Sequence, residues 1–565
     1  MTESSPTSGG LAKAVEAFGW PDAIDRYAGS FDEGASYYMR WALSGRHVSW
    51  KGLFSPAHRD RIVVLDRGWG TSVITLASDF RQVDALYSDT ALMRATQARA
   101  AWLGLNNINF RSIDETGVSL PPASFDAAAL CELTWADLTP ALVRVISQAL
   151  RPHGRCFISI TGTPLRLRTA ADAVKARRSI ERVFFNVRYF RYREPVVSGS
   201  ELVPLQAATG TIRMRVASVL APFRSPALAI IADKEGTPGP SLFEEVVKET
   251  ERATGRETGA LTVERYLFSN PQGFTLRVRD RSAGDVAFVK IPFHPIAERR
   301  MATNYTMLET LRNVDLGSAV EYPRPLAAGT AGAQPFFVES AVPGEDAMSI
   351  QRRHPEWSDA VMAAALDWIT RLHQATAREV VMDRAEMSRL VEEPMTSAFD
   401  YLSDNVTSAA LTHIGRFITD ALAGTRLNLV LAHGDFTPEN VLLVRESAQL
   451  RGVFDWDLAE EHGLPLLDPL YYILTSERAL HGSSTVASTA HILVGKLFRG
   501  AFSPTEDAAI KKYCEAVKVP AHAFRPLVLM VWLSHLGKRM HTPERYRFAR
   551  RDWYPLVEAI AGEIS

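Results

Sequence analysis

The chain has 565 residues, 46% hydrophobic and 22% charged, an ordinary globular composition with room for at least two cores. A formal net charge of -1 gives no overall field to gather nucleic acid or anionic membrane, so a charged ligand must be held by local groups. Three scattered cysteines, Cys131, Cys156 and Cys514, exclude a disulfide framework and a CxxC zinc site, and no apolar run is long enough to span a bilayer, so a cytoplasmic, soluble protein is expected.

In chain order, residues 1–20 are polar and lack the basic and apolar regions of a secretion signal, which predicts a short disordered tail. Residues 23–50 carry aromatic and basic residues at near-helical spacing and are expected to pack on a sheet or to cover a site as a lid. From Arg61 to Thr161, short apolar runs alternate with amphipathic stretches: IVVLD at 62–66, VDALY at 83–87, INF at 108–110, FDAAAL at 125–130 and CFISIT at 156–161. That rhythm predicts a parallel sheet covered by helices.

Asp66-Arg67-Gly68-Trp69-Gly70-Thr71 follows the first of these strands and opens a helix, the place where glycines let backbone approach a ligand. With the later segments VDALY, INFRSID, SLPPASFDAAAL and ALRPHGRCFISI, the order over about 60–165 resembles class I S-adenosylmethionine-dependent methyltransferases. The resemblance implies a Rossmann-like fold and S-adenosylmethionine as cofactor. It puts Asp66, Gly68 and Gly70 in the cofactor loop, Asp114 near the adenine and Tyr87 at the end of the second strand. Two positions depart from the pattern: Ser72 stands for a third glycine, and Tyr87, flanked by Asp84 and Asp89, stands where an acidic residue usually accepts the ribose hydroxyls. An active methyltransferase and a degenerate or purely structural domain both remain open.

Pro238-Gly239-Pro240 precedes the charged helical stretch FEEVVKETERATGRE and marks the expected domain boundary. Close-set strands at 262–268, 274–279 and 286–291, with turns at 270–273 and 282–285, predict an antiparallel meander. From about 355, helical patterns dominate, interrupted by a strand-rich block at 427–455.

The sharpest signal is His433-Gly434-Asp435-Phe436-Thr437-Pro438-Glu439-Asn440, followed by Asp455 in VFDWD. Residues 441–444 and 451–454 are apolar strands joined by a polar turn, so a hairpin would set Asn440 beside Asp455, with Asp435 on the loop entering it. An amide oxygen and a carboxylate are hard ligands suited to magnesium on substrate phosphates, and a further carboxylate can orient an acceptor hydroxyl. His433 reads as a structural hydrogen-bonding residue.

These motifs resemble the HGDxxxxN and (I/V)xDW motifs of aminoglycoside phosphotransferases and choline kinases, over most of 255–565. The resemblance implies a bilobal protein-kinase-like fold using ATP and magnesium. It implies Asp435 as the catalytic aspartate, Asn440 and Asp455 on the metal, Lys290 on the ATP phosphates, and Glu339 and Ala341 flanking the adenine. Asp457 is either a further candidate or a solvent-facing neighbour. For the helix partner of Lys290, family spacing falls at Asn304, and Glu298 is preferred over Glu309. The turn SNPQGF has a single glycine, WITRLHQAT is a packing helix, and Asp468-Pro469 reads as a helix N-cap with proline at the first position.

The expected architecture is α/β plus α+β: a tail at 1–20, a methyltransferase-like domain at 21–237, a kinase N-lobe with linker at 238–345 and a C-lobe at 346–565. The expected function is transfer of the γ-phosphate of ATP to a hydroxyl of a small molecule or glycan. The alternatives are a bifunctional kinase and methyltransferase acting on one saccharide, and a noncatalytic scaffold.

Overall fold

The computed structural model describes residues 8–28, 43, 46–113, 118–161, 167–192, 201–205, 227–235, 239–270, 273–314, 320–402, 407–480, 489, 491–539 and 553–564. The chain divides into two compact units, Met1–His294 with Ala327–Val338, and Pro295–Leu326 with Glu339–Ser565.

The first unit is built on one long sheet. Strands β1 (Arg61–Asp66), β2 (Gln82–Tyr87), β3 (Ile108–Ser112), β4 (Phe125–Leu133) and β5 (Leu150–Thr161) run parallel in the order β3-β2-β1-β4-β5. Their near-continuous Val, Ile, Leu and Ala runs suit strands covered on both faces. The chain reverses direction across the sheet between β1 and β4, and the crevice at such a switch point is where α/β sheets hold ligands. Antiparallel strands β6 (Phe185–Tyr192), β7 (Glu201–Pro204) and β8 (Ala227–Asp233) extend the β5 edge in the order β5-β8-β6-β7.

The sheet does not stop there. β7 pairs with β9 (Leu261–Asn270), and β10 (Gly273–Asp280), β11 (Val286–Pro292), β12 (Pro325–Ala331) and β13 (Gln334–Ser340) follow in the order β9-β10-β11-β13-β12. The meander expected from the turns at 270–273 and 282–285 is therefore present, and it continues the sheet that begins with the parallel strands. The expected boundary at 237/238 falls inside this unit.

Two helices show why. α1 (Ser8–Phe18) lies within the stretch expected to be a disordered tail, yet Leu11, Ala12 and Val15 form a buried stripe. That stripe is too short to stand out in a polar segment, and packing supplies the stability that composition does not. The charged stretch after Pro240 becomes α7 (Leu242–Ala253), started by a capping box between Ser241 and Glu244, with Phe243 stacked on Phe274 at 4.3 Å. Between these lie α2 (Trp20–Ala28), α3 (Thr71–Ala77), α4 (Thr90–Trp102), α5 (Pro140–Ala149) and α6 (Leu167–Val183). Of the segment 23–50, the described ends pack inward: Ala23, Ile24 and Val48 are buried and Trp50 stacks on Phe157 at 3.8 Å.

The second unit is mainly helical. It contains α8 (Pro295–Leu311), α9 (Ser358–Thr376), α10 (Leu467–Leu480), α11 (Pro504–Val517) and α12 (Phe524–Arg539), and two three-stranded sheets. These are β14 (Glu345–Asp346) with β17 (Val441–Leu443) and β18 (Leu450–Val453), and β15 (Arg378–Val381) with β16 (Arg426–Ala432) and β19 (Glu460–Gly463). On α9, Val361, Ala365, Trp368, Ile369 and Leu372 repeat at helical spacing and are all buried. Trp368 stacks on Phe436 at 5.8 Å and Phe436 meets Tyr472 at 5.1 Å, so the core lies directly under the loop that carries Asp435. No helix among the described residues is long and apolar enough to cross a membrane.

Candidate active site

The hairpin forms, with Val441 opposite Val453 and Leu442 opposite Gly452. One further bond, from Phe454 N–H to the Asn440 carbonyl at 3.1 Å, carries the ladder to its open end. Asn440 therefore lies one residue from Asp455 across the ribbon. Its amide Nδ2 donates to the Asp435 carbonyl at 2.9 Å and lies 3.4 Å from Asp435 Oδ2, so loop and hairpin meet at one point. Because Nδ2 is engaged, Oδ1 is the atom Asn440 can offer a cation. It and the Asp455 carboxylate are both hard oxygens, the kind magnesium takes together with phosphate and water. Among the described residues no three His, Cys, Asp or Glu side chains cluster as a metal site on their own.

Asp455 has φ +67, a left-handed conformation that is uncommon outside glycine. Gly434, at φ +77, sits where an added Cβ would lie 2.1 Å from the Leu458 carbonyl oxygen. The segment after Asp455 thus crosses the Asp435 loop at van der Waals contact, and only glycine admits it. Asp457 lies between the two and is half-buried.

Three buried side chains hold the loop from beneath. Asp468 accepts the His433 N–H at 2.6 Å and the Gly434 N–H at 2.9 Å, so it anchors the loop and is not the helix N-cap expected from Asp-Pro. α10 begins at Leu467, and Asp468 is already helical. His373 Nε2 lies 3.2 Å from Asp468 and its Nδ1 lies 2.7 Å from the Tyr513 hydroxyl, which accepts the Leu466 N–H at 2.8 Å. The histidine of the WITRLHQAT helix therefore has a polar role that its packing motif concealed. A histidine at a core position of an apolar stripe requires such partners, and that was the available signal. Burial pushes the Asp468 carboxyl up, but His373, His433 and the loop N–H groups outweigh it and hold it below its ordinary value. His433 donates from Nε2 to the Phe454 carbonyl at 3.1 Å and accepts the Asp435 N–H at Nδ1, an arrangement that assigns the neutral Nε2–H tautomer. Burial lowers its pKa, in keeping with a neutral ring.

On α8, Glu298 and Glu309 are exposed, whereas Asn304 is 2% exposed. Glu298 lies in the first turn, where a carboxylate complements the positive helix end. Glu339, expected beside an adenine, is buried and its carboxylate accepts Asn304 Nδ2 at 2.7 Å. Ala341 follows β13 and is half-buried. Lys290 lies on β11 opposite Thr275 of β10 and is half-buried.

In the first unit, Asp66 accepts the Gly68 N–H at 2.8 Å and the Ser72 N–H at 3.1 Å, which ties the glycine turn to β1. Gly70 has φ +72 and precedes α3. Burial raises the Asp66 carboxyl, and those two N–H groups oppose the rise. Glu132, at the end of β4 with φ +57, was not foreseen. The signal was its place at the switch point, one residue past Cys131, the β4 partner of Asp66. Its carboxyl would lie 2.5 Å from a Cβ on Gly68, and burial followed by the nearby Asp66 pushes it up to about 8.

S-adenosylmethionine does not fit these residues in the way its family binds it. The face that Gly68 leaves open meets the end of the Glu132 side chain, which must move aside for a ligand. The ribose position holds Tyr87, 1% exposed and stacked on Phe110 at 6.2 Å. Neither flanking acid substitutes. Asp84 is held by Arg61, Asn109 and Arg111, and Asp89 caps α4 by accepting Ala91 N–H and Leu92 N–H. Asp114 lies outside the described residues.

A comparison with curated proteins gives no match. Among solved structures, the chain is similar to an aminoglycoside-3'-phosphotransferase of type VIII, at 17% identity and TM-score 0.30, covering 46% of this chain and 88% of that one. It is also similar to a geranyl diphosphate methyltransferase in complex with SAM, at 12% identity and TM-score 0.24, covering 37% of this chain and 90% of that one. A third is the tRNA (m1A58) methyltransferase TrmI from Aquifex aeolicus, at 15% identity and TM-score 0.23, covering 34% of this chain and 69% of that one. Residues 268–477 match the model of the phosphotransferase enzyme family, APH. Residues 268–477 are therefore similar to the phosphotransferase enzyme family, and they follow a region whose sheet begins with five parallel strands.

Proposed function

We propose that this protein transfers the γ-phosphoryl group of ATP to a hydroxyl of a small molecule or glycan. The observation that carries the reading is the meeting of Asp435, Asn440 and the Asp455 turn at the open end of one hairpin. Asp435 orients the acceptor hydroxyl and takes its proton. As the acceptor oxygen bonds to the γ-phosphorus, the bond to the β–γ bridging oxygen breaks and ADP leaves. Asn440 Oδ1 and Asp455 would hold magnesium, which would supply positive charge against that developing on the phosphates. Lys290 is assigned to the nucleotide phosphates. Ala341 stays assigned to the adenine, and Glu339 serves there through its backbone because its carboxylate is committed to Asn304.

The acceptor class is tested by screening sugars, nucleosides, aminoglycosides and amino alcohols for ATP consumption. No acceptor-dependent turnover across that set would sink the proposal. We assign no methyl transfer to the first unit, because buried Tyr87 stands where the cofactor ribose would need a carboxylate. Calorimetry of the full chain with millimolar S-adenosylmethionine is expected to give no binding heat; a saturable isotherm would restore the bifunctional reading. Three free thiols support a cytoplasmic location.

A further inference from the structure

Asn304, where family spacing falls on α8, is an amide that uses both ends. Asn304 Nδ2 donates to Glu339 Oε2 at 2.7 Å, while Oδ1 accepts the Trp456 N–H at 2.9 Å. Trp456 N–H belongs to the peptide on the C-terminal side of Asp455. The peptide on its N-terminal side is held too, because the Phe454 carbonyl accepts His433 Nε2 at 3.1 Å. Pinning both flanking peptides sets φ and ψ of Asp455, which rests in the left-handed region at φ +67. A residue in that region persists only where its surroundings over-determine it.

We infer that Asn304 is a positioning residue: it fixes the backbone of Asp455 so that this carboxylate meets a nucleotide-bound divalent cation, and Glu339 orients Asn304. The chemistry explains both residue types. Glu339 Oε2 accepts from the NH2 end of the amide, and this turns Oδ1 toward the Trp456 N–H. Aspartate at 304 would set two carboxylates against each other, and leucine would leave the buried Trp456 N–H without its acceptor. The Trp456 ring packs against Trp368 and His433, so a shift of this backbone cannot be absorbed by the side chain alone. The inference rests on the phosphotransferase reading, because it assumes that Asp455 serves a metal.

The test uses the full-length protein with Mn2+ as the cation and a non-hydrolysable ATP analogue, bound Mn2+ being followed by electron paramagnetic resonance. Asn304→Leu is expected to weaken Mn2+ binding in the nucleotide complex by about 10- to 100-fold, the usual range when a partner behind a metal ligand is lost. Its metal-free nucleotide affinity should stay unchanged, and its Trp456 amide should exchange faster. Glu339→Gln retains an acceptor oxygen and should lose less Mn2+ affinity than Glu339→Leu, which should follow Asn304→Leu. Should Asn304→Leu fail to fold, the two Glu339 variants read the same relay from its other end. A folded Asn304→Leu protein with wild-type Mn2+ affinity and a protected Trp456 amide would overturn the inference and leave Asn304 a core residue. If the wild-type protein binds neither nucleotide nor Mn2+, the phosphotransferase reading fails and Asp455 has no metal to be positioned for. The Trp456 amide then reports separately whether the relay holds this backbone.

Discussion

Each unit ties a glycine turn to a buried aspartate by two backbone N–H groups, and the two aspartates titrate in opposite directions. Asp66 holds Gly68 and Ser72 and is raised; Asp468 holds His433 and Gly434 and is lowered. The neighbours make the difference. Burial raises both, and at Asp66 the Gly68 and Ser72 N–H groups and Arg99 do not overcome it, whereas at Asp468 His373 and His433 do. The same backbone device therefore gives a turn closed over by its own side chain in the first unit and a rigidly anchored loop carrying Asp435 in the second.

Removing the charge from each aspartate should separate them most widely. Asp468→Asn removes the partner of His373 and faces an N–H with an NH2 group, so a loss of about 3–5 kcal/mol in unfolding free energy is expected. Asp66→Asn also relieves repulsion with Glu132 and should cost about 1 kcal/mol or less. Equal losses in chemical denaturation would show that the neighbours do not set the difference.

The next contrast concerns activity. Asp435→Asn is expected to lower phosphoryl transfer by about 100-fold or more with the fold retained, the scale for a positioned acid–base group. Glu132→Gln should leave phosphoryl transfer untouched. Wild-type turnover by Asp435→Asn would remove the role given to this carboxylate.

The sequence exposes this second site better than the first, for a physical reason. Asp435, Asn440 and Asp455 lie within one loop and hairpin, so spacing translates directly into proximity. The parallel strands and the antiparallel meander were equally legible, since period and turn chemistry are local. What escaped depends on contacts distant in the chain. Asn304 reaches Trp456 and Glu339, His373 reaches Asp468 and Tyr513, and Glu132 meets Gly68 across β1 and β4. The pairing of β7 with β9 was hidden for the same reason, because a proline-glycine break says nothing about which edge the next strand will find.

The two glycines give a smaller contrast. An alanine at Gly434 combines φ +77 with a backbone oxygen at 2.1 Å that has no rotamer to move, so the loop must shift and turnover should fall by about 10-fold or more. At Gly68 the obstacle is the end of the Glu132 side chain, which can swing aside, and Gly68→Ala should change stability by less than about 1 kcal/mol. Steady-state rates for the first and melting curves for both would decide this. A tolerant Gly434 would mean that the Leu458 segment is not held against the loop.

The last contrast is the pH response, and its sign should differ between units. The Glu132 carboxyl is raised from 4.5 to about 8 on folding, so its contribution is fully present below pH 4.5 and is lost as pH rises through about 8. His433 is lowered from 6.5 by burial, so its contribution is present above pH 6.5 and is lost as pH falls toward the folded value. A single proton limits either slope to about 1.4 kcal/mol per pH unit. Amide exchange resolved by segment between pH 5 and 8 should therefore show the glycine turn of the first unit loosening as pH rises. The Asp435 loop should loosen as pH falls below 6.5. Glu132→Gln should flatten only the first response and His433→Gln only the second. Parallel responses in both segments, unaffected by these substitutions, would mean that neither group titrates apart from its unfolded value, and that the contrast between a carboxyl-backed and an imidazole-backed turn is one of geometry alone.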